Sequence, residues 1–419
     1  MRRITFAFSL VFIFLVPWEG MVRWPLGTIA RSWGLVVGMA WLMTVILRGR
    51  FRKLSPFHIL LCLFVLWNAA SVIWSANPNR SVAQLRTWVQ TLVLVFILWD
   101  LYTTRRAVLS GLQAYVLGAY VAIGSAIYNY FTGNVFYTNY QRFSPGDTNP
   151  DGFGFILALG IPVAWYLAGS KGTGRTGRLL KLVNYAYMPA AFFGLALSGT
   201  RTALIASVVG MAFGLASLTR LRLWARIALF MILASGILIL LPYVQSLESF
   251  QRLGTTSTEL TQGDLNERTI IWREGLASFV EHPIVGVGSN MYRSVNHLGK
   301  VAHNSYLSVL VELGLIGFFL FGVILAIAFN QAWSHQTKWD KSFWLTILLV
   351  WAIGSSTLTW EHRKTTWLFL SFIIASASLV RQQVRLAAPE HLNQNELQPI
   401  SNTPVSTYPP PPQEKSYFV

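Results

Sequence analysis

The sequence predicts an all-α polytopic membrane protein with about twelve transmembrane helices and one long loop between the ninth and tenth spans. Three observations predict it. Of 419 residues, 53% are hydrophobic and only 12% are charged, about half the roughly 25% of an average soluble chain. Apolar runs of about 18–22 residues, long enough to cross a hydrocarbon core, recur along the chain. Between them, the basic residues gather on alternate connections. This composition, with a mean hydropathy of +0.48, excludes a soluble enzyme, a disordered tail protein and a secreted disulfide scaffold. The single cysteine, Cys62, lies inside an apolar run. It offers neither a disulfide nor a zinc knuckle and reads as a small buried hydrophobe.

The predicted spans run from Ile4 to Val16, Gly27 to Leu47, His58 to Trp74, Thr87 to Leu101, Val108 to Tyr128 and Gly152 to Ala168. They continue from Leu180 to Leu197, Thr202 to Leu218, Trp224 to Leu241, Asn304 to Phe329, Phe343 to Leu358 and Thr365 to Val380. Four regions follow: spans one to nine over 1–241, a periplasmic loop over 242–303, spans ten to twelve over 304–381, and a tail over 382–419. The first span has a basic start but no small-residue cleavage site, and reads as a retained helix. The tail is polar, contains Pro409 to Pro412 and reads as a disordered cytoplasmic extension.

Net charge is +17, which in a soluble protein would suggest nucleic acid. Here it first reports topology. With the N-terminus inside, 20 of the 33 Lys and Arg residues fall at the N-terminus, in inside loops or in the tail, among them Arg2, Arg3, Arg48, Arg50, Arg52, Arg105, Arg106, Arg175, Arg178, Lys338 and Lys341. The positive-inside rule then places both termini in the cytoplasm of an inner-membrane protein, with no nucleic-acid partner. Arginines on the outer side gain nothing from that rule. They include Arg142, Arg201, Arg252, Arg268, Arg273, Arg293 and Arg363, with Lys300 and Lys364 nearby.

In the long loop, Asp264-Leu-Asn-Glu267 reads as a capping box opening a helix to about Glu281, before Pro283. Arg268, Trp272, Gly275, Leu276 and Phe279 then share one face, suited to a membrane surface or to the roof of a cavity. Arg268 near the helix start either meets an anion or solvates the terminus. In Ser198-Gly-Thr-Arg201-Thr-Ala203, Ser198 or Thr200 caps the next span and leaves Arg201 in its first turn. A cation there opposes the macrodipole by a few tenths of a kcal/mol or more unless an anion sits between; snorkelling at the boundary is the alternative.

His303-Asn304 stands where the loop enters a span. A neutral imidazole there can take a proton from a hydroxyl; a structural histidine is the alternative. Glu312, deeper on the same helix, lies nine residues on and so faces the opposite side, which suits a helix-packing lock or a protonated carboxyl better than a pair with His303. Gly314 and Gly317 allow close helix packing. No nucleotide-binding glycine pattern or Asp-x-Asp motif occurs. His282, His297 and His303 lack metal-ligand spacing, so no metal and no cofactor are expected.

The run Asn266-Glu-Arg268-Thr-Ile-Ile-Trp272, with His282-Pro283-Ile-Val-Gly286-Val-Gly288 and Ala302-His303-Asn304-Ser-Tyr306 through Glu312, Gly314 and Gly317, resembles the signature of the O-antigen ligase and polymerase superfamily, whose members are of WaaL and Wzy type. Ser198 to Ala203 is similar to that family's turn. Arg142-Phe-Ser-Pro-Gly146 with Asn149-Pro150-Asp151 is similar to a family segment ending Asn-Pro-Asn, and departs from it at Asp151. The resemblance implies a GT-C-like, inverting, metal-independent glycosyltransferase. Its donor would be an oligosaccharide on undecaprenyl pyrophosphate, and its acceptor lipid A-core or a growing glycan. It assigns His303 to activation of the acceptor hydroxyl and Arg201, Arg268 and Arg142 to the pyrophosphate, with Asn304, Trp272 and Glu312 in support. A Wzy-type polymerase and a protein O-oligosaccharyltransferase share these motifs. A lipid-linked sugar flippase or transporter predicts internal repeats and midplane helix breaks, and no repeat is visible.

Overall fold

The computed structural model describes residues 1–24, 27–136, 141–146, 148–170, 174–220, 223–248 and 267–387. Asp264 and Asn266 of the expected capping box, Arg252, and the proline run of the tail lie outside them. Residues 1–380 form one compact unit, and 381–419 a second that holds the last turns of the final helix.

Helices dominate. In chain order they are α1 (Arg2–Leu15), α2 (Ile29–Arg48), α3 (Pro56–Ala70), α4 (Pro78–Leu101), α5 (Arg105–Thr132), α6 (Pro150–Ala168) and α7 (Gly174–Ser198). Then follow α8 (Arg201–Ser217), α9 (Leu223–Ser246), α10 (Arg268–Glu281), α11 (Ser305–Trp333), α12 (Lys338–Ser355) and α13 (Lys364–Ala387). A two-residue antiparallel pair, Arg23–Trp24 with Gly27–Thr28, joins α1 to α2. Each predicted span falls on its own helix. Six helices, α2, α4, α5, α6, α7 and α11, are long and apolar enough to cross a membrane, and α3 and α8 are shorter apolar helices. The protein is a multi-pass membrane protein.

Several boundaries move outward. Asn77 accepts from the Arg80 amide and Pro78 occupies the first turn, so α4 starts nine residues before the apolar run. Helix α9 continues to Ser246 past Pro242, because Val244 still buries in the core. The last helix runs to Ala387, beyond the expected start of the tail. Cys62 is half-exposed on α3 rather than buried.

The core centres on α6, whose residues Phe153 to Ala168 are all buried. A helix apolar on every side has no solvent face to offer and belongs in the middle. It packs against α5, α7, α8 and α12. At one face of the bundle, arginines cap the end of α4: Arg2 donates to the Asp100 carbonyl at 2.9 Å and Arg52 to the Trp99 carbonyl at 2.8 Å. Cations at a helix C-terminus satisfy orphan carbonyls and favour the macrodipole. At the opposite face start α2, α4, α6, α8, α11 and α13, and there the site residues lie.

Candidate active site

Arg142 organises this face. Its side chain is 4% exposed. Nε donates to the Ser198 carbonyl at 2.7 Å, and Nη2 donates to Asp151 Oδ1 at 2.5 Å and to Thr200 Oγ1 at 3.0 Å. One guanidinium thus joins three chain segments: the stretch before α6, the first turn of α6, and the α7–α8 turn. The backbone repeats the link, with the Phe143 amide donating to the Leu197 carbonyl at 3.0 Å. The α7–α8 turn is short because Gly199 takes φ 58° and closes α7 onto Leu195 and Ala196. Thr200 is the N-cap of α8, but its hydroxyl lies 3.0 Å from the Pro150 carbonyl and 3.2 Å from Asp151 rather than capping. Arg201 follows as the first residue of α8, half-buried at the helix start, where a positive side chain is electrostatically disfavoured.

The roof is α10 with the loop back to α11. Ile271, Tyr292, Ala302 and Val311 form a small separate core, flanked by Trp272 and Phe279. Gly275 is required here, since a Cβ would lie 2.2 Å from the Tyr292 hydroxyl. The expected stripe holds at Trp272, Gly275 and Phe279 and differs at two positions: Ile271 joins the inward face, whereas Leu276 is 46% exposed. Glu267 is the N-cap of α10 with φ 65°, not its third helical residue. Lys300 pairs with Glu267, and Glu274 accepts from the His297 amide at 3.0 Å.

Trp272 Nε1 donates to the Ala302 carbonyl at 2.7 Å, fixing the residue before His303. Asn304 caps α11, its side chain accepting from the Tyr306 and Leu307 amides at 3.0 Å each. Between these anchors His303 is held at φ 48°, a conformation costing a non-glycine residue on the order of 1–3 kcal/mol and concentrated at functional sites. Among the described residues the other positive-φ non-glycines are Gln141, Glu267 and Asn290. Two of those immediately precede Arg142 and Arg268.

Helix α11 is broken at Gly314 (φ 64°, ψ −168°). The loop after α10 fills the break: Val287 donates to the Val311 carbonyl at 3.1 Å, Gly288 to that of Glu312 at 2.8 Å, and Leu315 to that of Pro283 at 2.8 Å. A Cβ on Gly286 would meet the Glu312 backbone at 2.5 Å, which explains glycine in the His-Pro-Ile-Val-Gly-Val-Gly run. Glu312 is a lock, its carboxyl oxygens accepting from the Asn290 amide at 2.7 Å and the Tyr292 amide at 3.1 Å.

Electrostatics gather the remaining groups. Burial first, and then the nearby charge of Arg201, push the Arg268 guanidinium below its ordinary value, while Asp151 opposes the shift. Burial also lowers His303 from its ordinary 6.5, with Arg268, Lys300 and Arg293 adding to the shift and Asp151 opposing it. Arg201, Arg268, Asp151 and His303 thus share one electrostatic neighbourhood, and its imidazole is neutral at neutral pH. A neutral imidazole accepts a proton, and the Asp151 carboxylate stabilises the imidazolium that results. Among the described residues, no three His, Cys, Asp or Glu side chains converge as a metal site.

Two residues escaped the sequence reading. Asp151 was visible only as a departure from Asn-Pro-Asn. Glu361, 5% exposed, accepts from the Ser308 hydroxyl at 3.2 Å, and its Oε2 has no hydrogen-bond partner among the described residues. Its turn carries Arg363 and Lys364, which drew attention away from the acid.

Residues 186–322 match the O-antigen ligase family. The match spans α7 to the broken half of α11 and contains Arg201, Arg268 and His303; Arg142 and Asp151 precede it. The chain is also similar to the exopolysaccharide production protein ExoQ of Rhizobium meliloti (strain 1021), at 26% identity over 295 residues. That alignment covers 64% of this chain and 63% of the relative.

Removing one partner of a buried ion pair costs about 3–5 kcal/mol, and Asp151, 22% exposed, places this pair at the lower end. Arg142→Ala should lower the thermal midpoint in detergent, and Arg142→Lys should recover only part because it lacks the fork; an unchanged midpoint for Arg142→Ala contradicts the clamp. For His303, the fold disfavours the charged form. Its contribution to stability is therefore complete above 6.5 and declines as pH falls toward the lowered folded value. Activity needing the neutral ring has its acid limb at that value. Arg268→Gln should move the limb to higher pH and Asp151→Asn to lower pH; shifts in one common direction would refute the assigned neighbourhood.

Proposed function

We propose that the protein is an inverting, metal-independent glycosyltransferase of the bacterial inner membrane. It moves an oligosaccharide or polysaccharide from undecaprenyl pyrophosphate to an acceptor hydroxyl at the periplasmic face. Both termini are cytoplasmic, and all twelve helices other than α10 span the bilayer. The observation that carries this reading is the shared neighbourhood of Arg201, Arg268, Asp151 and His303, within or beside the stretch that matches the O-antigen ligase family.

In the reaction His303 takes the proton of the acceptor hydroxyl as its oxygen bonds to the anomeric carbon. The bond from that carbon to the phosphate oxygen breaks from the opposite face, and its electron pair leaves with the pyrophosphate. Arg201 and Arg268 stabilise the growing charge, and the N–H groups at the start of α8 add to them. With an anion in place, the unfavourable position of Arg201 at a helix start becomes favourable. Arg142 is a positioning residue rather than a ligand, because its guanidinium already holds Ser198, Thr200 and Asp151. Trp272, Asn304 and Glu312 position His303 and the roof in the same sense.

The similarity to an exopolysaccharide production protein favours a second reading of the acceptor: a growing glycan, as for a Wzy-type polymerase, in place of lipid A-core.

Purified protein supplied with lipid-linked oligosaccharide and each acceptor should form product with inverted anomeric configuration, insensitive to EDTA. Loss of one electrostatic contact or of the base typically costs about 10²–10⁴ in rate, so His303→Ala and Arg201→Ala should each fall by at least that lower factor at a normal thermal midpoint. Full transfer by both variants, or activity abolished by EDTA and restored by a divalent cation, would refute the mechanism.

A further inference from the structure

A cleft of about 430 Å³ opens between α1, α2 and α4, on elements that carry none of the groups assigned to transfer. Phe12, Leu35, Met39, Val93 and Leu94 supply apolar walls, and Gly34 and Gly38 of α2 leave room along the floor. Helix α2 is the least buried of the six long apolar helices, at 17%, so this wall of the bundle is presented to lipid. From Arg31 to Leu42 the lining covers eleven helical steps, about 16 Å at 1.5 Å per residue. That is roughly half a bilayer core, the depth of one leaflet.

The mouth is basic and lies at the face that holds Arg201 and His303. Lys364 and Arg31 line it. Lys364 is paired with Glu19 at 2.7 Å, and Glu19 also accepts from the Thr28 hydroxyl at 3.0 Å. Exposed Arg363 adds its charge to Glu19, whose carboxyl is held below the usual range by these cations against the opposing effect of burial. Arg31 folds over Gly27 and has no carboxylate partner among the described residues. An apolar slot one leaflet deep, ending at an arginine with no carboxylate partner among the described residues, has the complementarity of a single lipid phosphate and its chain.

We propose that this cleft binds one anionic phospholipid of the leaflet at the site face, its phosphodiester on Arg31 and one acyl chain between α2 and α4. A lipid diphosphate fits less well, since Lys364 is already matched by Glu19. The inference stands independently of the glycan-transfer reading.

The test is native mass spectrometry of the full-length protein, delipidated in detergent and offered palmitoyl-oleoyl phosphatidylglycerol, the matching phosphatidylcholine, or undecaprenyl phosphate. One phosphatidylglycerol should remain bound at collision energies that strip phosphatidylcholine. A juxtamembrane basic residue contributes about 1 kcal/mol toward an anionic lipid, so Arg31→Ala should weaken retention about fivefold. Arg31→Lys should restore most of it, and Gly38→Leu, which fills the floor, should abolish it with the charge intact. Equal retention of the two phospholipids, preference for undecaprenyl phosphate, or unchanged retention in folded Arg31→Ala and Gly38→Leu would overturn the proposal.

Discussion

Everything at the site face depends on the buried guanidinium of Arg142. A charge removed from water must be matched in place or it destabilises the fold by several kcal/mol, and here Asp151, Thr200 and the Ser198 carbonyl match it. Those three belong to the starts of α6 and α8 and the end of α7, three consecutive helices. Satisfying one side chain therefore sets the relative height of three helices. It also gives Asp151 two duties: it closes the clamp, and its charge reaches both Arg268 and His303. Structural and chemical roles meet in that carboxylate.

The roof is built on the opposite principle. Instead of one buried charge it uses backbone hydrogen bonds to a helix that has been opened for them. The break at Gly314 exposes carbonyls and amides that the 283–288 loop then satisfies, while Trp67 of α3 donates to the Leu313 carbonyl at 2.9 Å. Ser289 is held between Ser71 at 3.0 Å and Asn68 at 2.9 Å, which docks the same loop onto α3. Rigid support on both sides keeps His303 in a left-handed conformation that an unsupported loop would relax. Trp272 and Asn304 thus hold the backbone on both sides of His303 and fix the direction of its ring.

Much of this was legible in the sequence, for physical reasons. Apolar length set the helices, and the outer arginines stood out because the positive-inside rule could not explain them. The tight Ser198–Arg201 turn and the Asn304 boundary were readable as helix starts, although the Thr200 hydroxyl turns to Pro150 and Asp151 instead of capping α8. Other features were hidden by the criterion used. Helix α4 starts at Asn77-Pro78, an ordinary capping signal, but its polar first turns fall outside an apolar run. The Glu312-Leu-Gly-Leu-Ile-Gly stretch sits in a long apolar run, and its break at Gly314 depends on the returning 283–288 loop, which no local pattern announces. The clamp around Arg142 was hidden because two of its partners, the Ser198 carbonyl and the Thr200 hydroxyl, lie 56 and 58 residues along the chain. The inward face of α10 was legible at Trp272, Gly275 and Phe279, but Ile271, buried in the small core with Tyr292 of the returning loop, was missed.

The central claim is that a lipid diphosphate sits among Arg201, Arg268 and His303. A structure of the protein in lipid nanodiscs with bound undecaprenyl pyrophosphate tests it most directly. The account predicts diphosphate oxygens about 2.7–2.9 Å from both the Arg201 and Arg268 guanidinium groups, with His303 across the hollow from the leaving oxygen and Arg142 still turned toward Asp151. A diphosphate seated elsewhere, or one held by Arg142 with Arg201 and Arg268 turned away, would contradict it.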